Sequence, residues 1–136
     1  MSGALTGRCL CGAVRFSLAA PPLAARACWC RTCQYLSSGN ASVGAIFRRT
    51  DLTLTGETAE FTSAADSGTP VRRRFCPRCG TPLFAEAPNA PDLLLVRAGA
   101  LDDPELARPE STIWTGSAPA WGLIDPGLPR CEGQPS

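Results

Sequence analysis

Short alternations of apolar and polar residues recur along the chain, and turn formers interrupt them every few positions. Residues 12–18, Gly-Ala-Val-Arg-Phe-Ser-Leu, read as a half-buried strand that Pro21-Pro22 closes. Residues 41–47 read as a second strand, and Arg48-Arg49-Thr50-Asp51 as the turn after it. Short strands are expected over 52–56 and 60–62, followed by a polar loop over 63–70. Residues 71–75 form a strand that delivers Cys76, residues 82–86 lead away from it, and 87–92 are a Pro/Asn turn. Leu93-Leu94-Leu95-Val96 predicts a buried strand, and Leu101-Asp102-Asp103-Pro104 the start of a helix or turn. Thr112-Ile113-Trp114 predicts a late strand. Apart from a short helical turn after Cys33, no stretch carries the 3.6-residue period of an amphipathic helix. The pattern predicts an all-β domain of short antiparallel strands over residues 1–125, with 126–136 as a C-terminal tail.

Composition narrows the chemistry. A chain of 136 residues fits one domain with a modest core. It is 44% hydrophobic, which excludes disorder, and its longest apolar run is far below the roughly 18 residues of a membrane span. A net charge of +1 argues against a nucleic-acid binder that works through a strong general field. All thirteen basic residues are arginine, and there is no lysine or histidine. Histidine bases, histidine metal ligands and lysine Schiff bases are therefore excluded. The opening Met-Ser-Gly-Ala-Leu-Thr-Gly-Arg has no basic segment followed by an apolar one, so a cytoplasmic setting is expected. In a reducing compartment, clustered cysteines are metal ligands more often than disulfides.

The eight cysteines fall into three tight groups and a remainder: Cys9 and Cys11; Cys28, Cys30 and Cys33; Cys76 and Cys79; and Cys131. In a C-x-x-C turn two thiolates converge on one ion, and Gly80 allows the positive φ that such a turn often needs. In a locally extended C-x-C segment, residues i and i+2 share a face. Cys9, Cys11, Cys76 and Cys79 then make one closed four-sulfur site; free buried thiols or disulfides are the alternative. Cys28, Cys30 and Cys33 remain as three ligands with an open fourth position, the pattern of a catalytic zinc site. A second structural site completed by Cys131, or a redox pair at Cys30 and Cys33, are the competing readings. Cys131 itself reads as a bystander. Sulfur donors favour zinc over magnesium or calcium.

Gly7-Arg8-Cys9-Leu10-Cys11-Gly12-Ala13-Val14-Arg15-Phe16, Cys28-Trp29-Cys30-Arg31-Thr32-Cys33-Gln34 and Phe75-Cys76-Pro77-Arg78-Cys79-Gly80-Thr81-Pro82-Leu83-Phe84 resemble the three cysteine motifs of the glutathione-dependent formaldehyde-activating enzymes, the CENP-V/GFA domain. Gly99-Ala100-Leu101-Asp102-Asp103-Pro104, Ile113-Trp114 and Ala118-Pro119-Ala120-Trp121 extend the resemblance. It implies an Mss4-like fold with two zinc ions: a structural one on Cys9, Cys11, Cys76 and Cys79, and a functional one on Cys28, Cys30 and Cys33. It implies addition of formaldehyde to glutathione, giving S-hydroxymethylglutathione, a carbon–sulfur lyase activity. The family commonly carries histidine where this chain has Trp29. If Cys28 and Cys30 face the metal, the residue between them faces away, so Trp29 is expected to fill core and to leave metal binding intact.

Three thiolates on a divalent ion leave one net negative charge, which weakens water activation and suits the holding of a substrate thiol as thiolate. Arg31, inside the metal loop, is the candidate to hold a carboxylate of that thiol; an ordinary surface or ion-pair role is the alternative. Gln34 and Tyr35 are expected to pack or to hydrogen-bond the loop. Arg72-Arg73-Arg74 places Arg72 and Arg74 on one strand face and Arg73 on the other, and reads as a charged, edge-protecting strand. Trp114 and Trp121 are expected in the core. A non-catalytic zinc-stapled binding module is the remaining alternative to an enzyme.

Overall fold

The computed structural model describes residues 5–135. Strands β1 (Thr6–Arg8), β2 (Arg15–Leu18) and β5 (Leu52–Thr55) form a small antiparallel sheet in the order β1-β2-β5. The other strands are β3 (Ala24–Cys28), β4 (Ser42–Arg48), β6 (Ala59–Ala64), β7 (Pro70–Phe75), β8 (Pro82–Glu86), β9 (Leu93–Arg97) and β10 (Thr112–Ile113). They form a seven-stranded sheet in the order β10-β3-β4-β9-β8-β7-β6, antiparallel except at β10–β3. One helix, α1 (Arg31–Leu36), follows β3. The chain is all-β, as its short alternations predict. No described helix is long and apolar enough to cross a membrane.

The core lies between the two sheets. Phe16 of the small sheet meets Phe84 edge-on, with ring centroids 5.1 Å apart. Val14 and Leu18 join Phe47, Leu94 and Val96 around that contact. Gly7 is required by this packing, because a Cβ there would lie 2.2 Å from the Phe16 ring and 2.3 Å from the Ala100 carbonyl oxygen. The period of two then fixes the far face of the large sheet. With Leu94 and Val96 buried in the core, Leu95 and Arg97 face the other way, as do Gly44 opposite Arg97 and Arg26 opposite Gly44.

Several elements differ from the sequence reading. The strand expected from residue 12 begins at Arg15, because residues 9–14 form a turn in which the Cys9 and Val14 backbones pair and Gly12 takes φ +81°. The loop between β6 and β7 is shorter than expected and covers residues 65–69. The late strand stops at Ile113, and Trp114 turns the chain in the left-handed region at φ 57°. Residues 129–133, expected as tail, run along β10: Thr112 donates to the Pro129 carbonyl, Cys131 to Thr112 and Trp114 to Gly133. Trp121, expected in the core, is 66% exposed, and Trp114 is half-buried with its Nε1 donating to Gln134 at 3.0 Å.

Strand β7 is not an edge. It sits between β6 and β8, and β6 takes the edge position. Arg72 and Arg74 do share a face, where they converge with Arg49 on the buried carboxylate of Glu86. Arg74 lies 3.3 Å from Oε1 of Glu86 and Arg49 pairs with Oε2. Removing the carboxylate would strand the Arg74 guanidinium in a largely dehydrated site, a change that costs about 3–5 kcal/mol for a fully buried pair. Because the Arg49 and Arg72 side chains are 41% and 49% exposed, solvent screens part of this cluster. Glu86→Gln is expected to destabilise the fold by about 2 kcal/mol in urea unfolding. Glu60→Gln, at the exposed Arg72–Glu60 pair, is expected to change stability by less than about 1 kcal/mol.

Candidate metal centres

The first centre joins two turns that are distant in sequence. Sγ of Cys11 lies 3.6 Å from that of Cys9 and 3.8 Å from that of Cys76. All four sulfurs of Cys9, Cys11, Cys76 and Cys79 lie within 4.8 Å of one another. A tetrahedral ion with metal–sulfur bonds of about 2.3 Å sets sulfurs roughly 3.8 Å apart, so the donor set has the spacing of a four-sulfur zinc site. The C-x-C pair reaches this geometry through a turn and not through the extended segment expected, since Gly12 N–H bonds back to the Cys9 carbonyl at 3.1 Å. In the C-x-x-C knuckle the Gly80 N–H closes on the Cys76 carbonyl at 2.9 Å, with Gly80 at φ +78°. Backbone N–H groups point at the sulfurs: Val14 at Cys9 (3.3 Å), and Arg78 (3.4 Å) and Cys79 (3.5 Å) at Cys76. The Thr81 hydroxyl at 3.1 Å is the main cause that holds the Cys79 thiol down at about 5.

The second centre is local. Cys28 ends β3, Cys30 caps α1, and Cys33 lies in its first turn; their three sulfurs lie within 4.8 Å of one another. The helix begins at Arg31, earlier than the turn expected after Cys33, because Sγ of Cys30 accepts the Cys33 N–H at 3.3 Å. The neighbouring Cys28 and Cys30 thiols hold Cys33 down at about 2, helped by the Ser42 hydroxyl and the charge of Arg97. The same proximity of Cys30 and Cys33 pushes Cys28 up. Three thiols held this close together are a donor set suited to a thiophilic divalent cation. Cys131 belongs to neither group; it is half-buried beside β10, and all eight cysteines are free thiols.

Side chains around the loop hold it in place. Gln34 is buried, donates from Nε2 to the carbonyls of Trp29 (2.7 Å) and Ser117 (3.1 Å), and accepts from Arg31 at 2.6 Å. Arg31 also stacks over Tyr35, whose ring is 80% exposed and not packed as expected. Asp66, at the tip of the β6–β7 hairpin, reaches across to accept from the Arg31 N–H (2.9 Å) and the Thr32 hydroxyl (2.7 Å). Trp29 is 2% exposed, meets Trp121 edge-on, and lines a groove other than the one that holds the three sulfurs.

Residues 4–117 match the family described as glutathione-dependent formaldehyde-activating enzyme. The chain belongs to this family. It is 33% identical over 115 residues to a Halomonas elongata protein provisionally named a glutathione-dependent formaldehyde-activating enzyme, a match covering 80% of this chain and 72% of that protein. A crystal structure of a Rhodobacter sphaeroides protein shares the fold, with a TM-score of 0.56 at 20% identity, over 93% of this chain and 98% of that one.

In this family member the three sulfurs of Cys28, Cys30 and Cys33 form part of the wall of a cavity of about 320 Å³, a volume that admits a small molecule. Arg31, the substrate contact expected from sequence, is not among the side chains that line it; Arg26, Arg73 and Arg97 are. The sequence pattern already separates Arg73 from its neighbours, but nothing in it places Arg26 or Arg97 on this cavity. The continuous apolar run Leu93-Leu94-Leu95-Val96 does not tell one face from the other, and only the burial of Leu94 and Val96 in the fold carries Arg97 to the face opposite the core.

Proposed function

We propose that this chain is a zinc-dependent carbon–sulfur lyase that adds formaldehyde to the thiol of glutathione, giving S-hydroxymethylglutathione. The observation that carries the reading is the convergence of the Cys28, Cys30 and Cys33 sulfurs on the wall of the arginine-lined cavity. Cys28, Cys30 and Cys33 would hold a catalytic zinc with one position open to substrate, and Cys9, Cys11, Cys76 and Cys79 a structural zinc. Bound there, zinc supplies a site that favours the deprotonated form of a thiol.

The protein's own groups do the rest. Ser42 and Arg97 bias Cys33 toward the thiolate a metal requires. Asp66 and Gln34 fix the loop from both sides, and Arg31 braces Gln34. In the reaction a sulfur–carbon bond forms, the carbonyl π bond breaks, and the proton lost by the thiol is balanced by one gained on oxygen. The Asp66 carboxylate at the cavity has each oxygen engaged by a donor, and the Glu86 carboxylate turns to the other face of the sheet, toward Arg49 and Arg74. Proton exchange is therefore assigned to solvent at the cavity mouth.

The test is exchange NMR on glutathione and formaldehyde, with protein whose metal content has been measured. Adduct formation should exceed the uncatalysed rate in proportion to protein carrying two zinc ions per chain. Fully loaded protein that leaves the rate at its uncatalysed value overturns the reading.

A further inference from the structure

We propose that Arg26, Arg97 and Arg73 form a carboxylate-binding row beside the three-cysteine centre, which makes the preferred substrate a thiol carrying at least one carboxylate. The inference deepens the reading above and rests on it in one respect, that the thiol end lies at the cysteines. The row follows from the sheet. Arg26 faces Gly44 and Gly44 faces Arg97, so the two guanidiniums rise on either side of a residue with no side chain. A Cβ at position 44 would lie 2.7 Å from the Leu95 side chain, so glycine is required there to let Leu95 lie flat on the floor between the two arginines. Across β8, Arg73 pairs with Ala85, which pairs with Leu95, two residues from Arg97 on the same face. Gly44, Ala85 and the low-lying Leu95 therefore separate the three long cationic side chains, and all three line the cavity that holds the sulfurs.

Charge gives the row its chemistry. Arg73 is 9% exposed, and Arg26 and Arg97 are half-buried. Among the described residues none of the three forms an ion pair. Arg73 donates to Ser63 Oγ at 2.7 Å and Arg97 to Ser42 Oγ at 3.4 Å, which are neutral partners. The Asp66 carboxylate at the cavity is held by the α1 backbone and Thr32, and that of Glu86 lies on the other face of the sheet with Arg49 and Arg74. A zinc ion with three thiolates carries one net negative charge and Asp66 a second, still fewer than the three guanidiniums present. Half-buried guanidiniums without an acidic partner favour an anion, and their planar forks match a carboxylate.

Calorimetric titration of zinc-loaded protein with glutathione, glutathione diethyl ester and S-methylglutathione tests this. The diethyl ester keeps the thiol and loses both carboxylates, whereas S-methylglutathione keeps both carboxylates and loses the thiol. Glutathione is expected to bind roughly tenfold or more tightly than its ester. Arg97→Gln is expected to reduce that ratio to near one, measured on protein whose zinc content is matched to the parent. Arg26→Gln, also at a half-buried position and without a contact to the cysteines, provides the second variant and should lower the ratio in the same direction with zinc content unchanged. Equal binding of acid and ester by the parent protein overturns the proposal. So does an Arg97→Gln protein that loses affinity for both equally, which would assign the arginines to the charge of the metal centre. An acid-over-ester preference in protein that shows no turnover supports the carboxylate row and sinks the proposed reaction. S-methylglutathione binding as tightly as glutathione likewise supports the row while removing the thiol from the cysteine centre.

Discussion

Cys76→Ser is expected to lower the unfolding free energy by about 4 kcal/mol or more, roughly 15 °C in Tm for a domain of this size. The side chain is fully buried, its sulfur receives two backbone N–H groups, and it lies 3.8 Å from Cys11, which is 65 residues away in the chain. The four-sulfur centre thus joins the turn before β2 to the knuckle between β7 and β8. Losing one of four ligands opens the metal site and leaves the Cys9 and Cys79 thiols packed in or against the core without an ion to join them. A small core gains much from such a cross-link, because it cannot bury enough apolar area to replace it. Circular dichroism during heating reads the loss, and a strong chelator should bring the parent protein toward the same midpoint. Cys131→Ser provides the contrast, with a change within about 0.5 kcal/mol expected for a site outside either cluster. A Cys76→Ser protein that melts with its parent would show that these sulfurs carry no stabilising metal.

The difference between these two cysteines was readable from spacing, and this shows which parts of the fold a sequence exposes. Ligand pairs are local, so Cys76 and Cys79 announce a knuckle without knowledge of what surrounds it. Strands β4, β7, β8 and β9 were legible for a similar reason, since each is a short run of strand-forming residues bounded by turn formers. Strand β3, Ala-Ala-Arg-Ala-Cys, was not. Alanine has little preference for strands, and pairing with β4 supplies what the segment lacks. The three residues of β1 were equally silent, because they are defined by contact with β2 and by the tight approach of Phe16 to Gly7.

Residues that matter through sheet order were the hardest to place. The alternation in Arg72-Arg73-Arg74 gave two faces correctly, yet it could not say that β7 lies inside the sheet or that one face looks onto the three cysteines. Arg26, Arg73 and Arg97 come from three strands and share a cavity only because β4 and β8 intervene with small residues at Gly44 and Ala85. Arg31 drew attention through its proximity in sequence to Cys30, whereas its guanidinium bonds Gln34 and covers Tyr35. Large apolar side chains misled in the opposite sense. Tyr35 and Trp121 are exposed although hydrophobicity alone assigns them to the interior, a common outcome on a protein surface that must carry apolar atoms.

Cys33→Ser is expected to separate function from fold. The residue is half-buried in the first turn of α1, and its backbone N–H, which serine retains, makes the hydrogen bond that starts the helix. Gln34 and Asp66 continue to hold the loop through contacts that do not involve the Cys33 side chain. Stability should therefore stay within about 1 kcal/mol of the parent. The metal site should not survive, because two sulfurs that remain of three have lost the donor nearest in charge to Ser42 and Arg97. Zinc content is expected to fall from two ions per chain to one, and kcat/KM by about a thousandfold, equivalent to about 4 kcal/mol of transition-state stabilisation. The pairing of these outcomes is what decides between the readings. A redox dithiol at Cys30 and Cys33 would lose activity without a change in zinc content, and a purely structural second site would lose zinc together with a large part of the stability. Only a site whose metal serves substrate loses zinc and turnover while the unfolding midpoint stays in place.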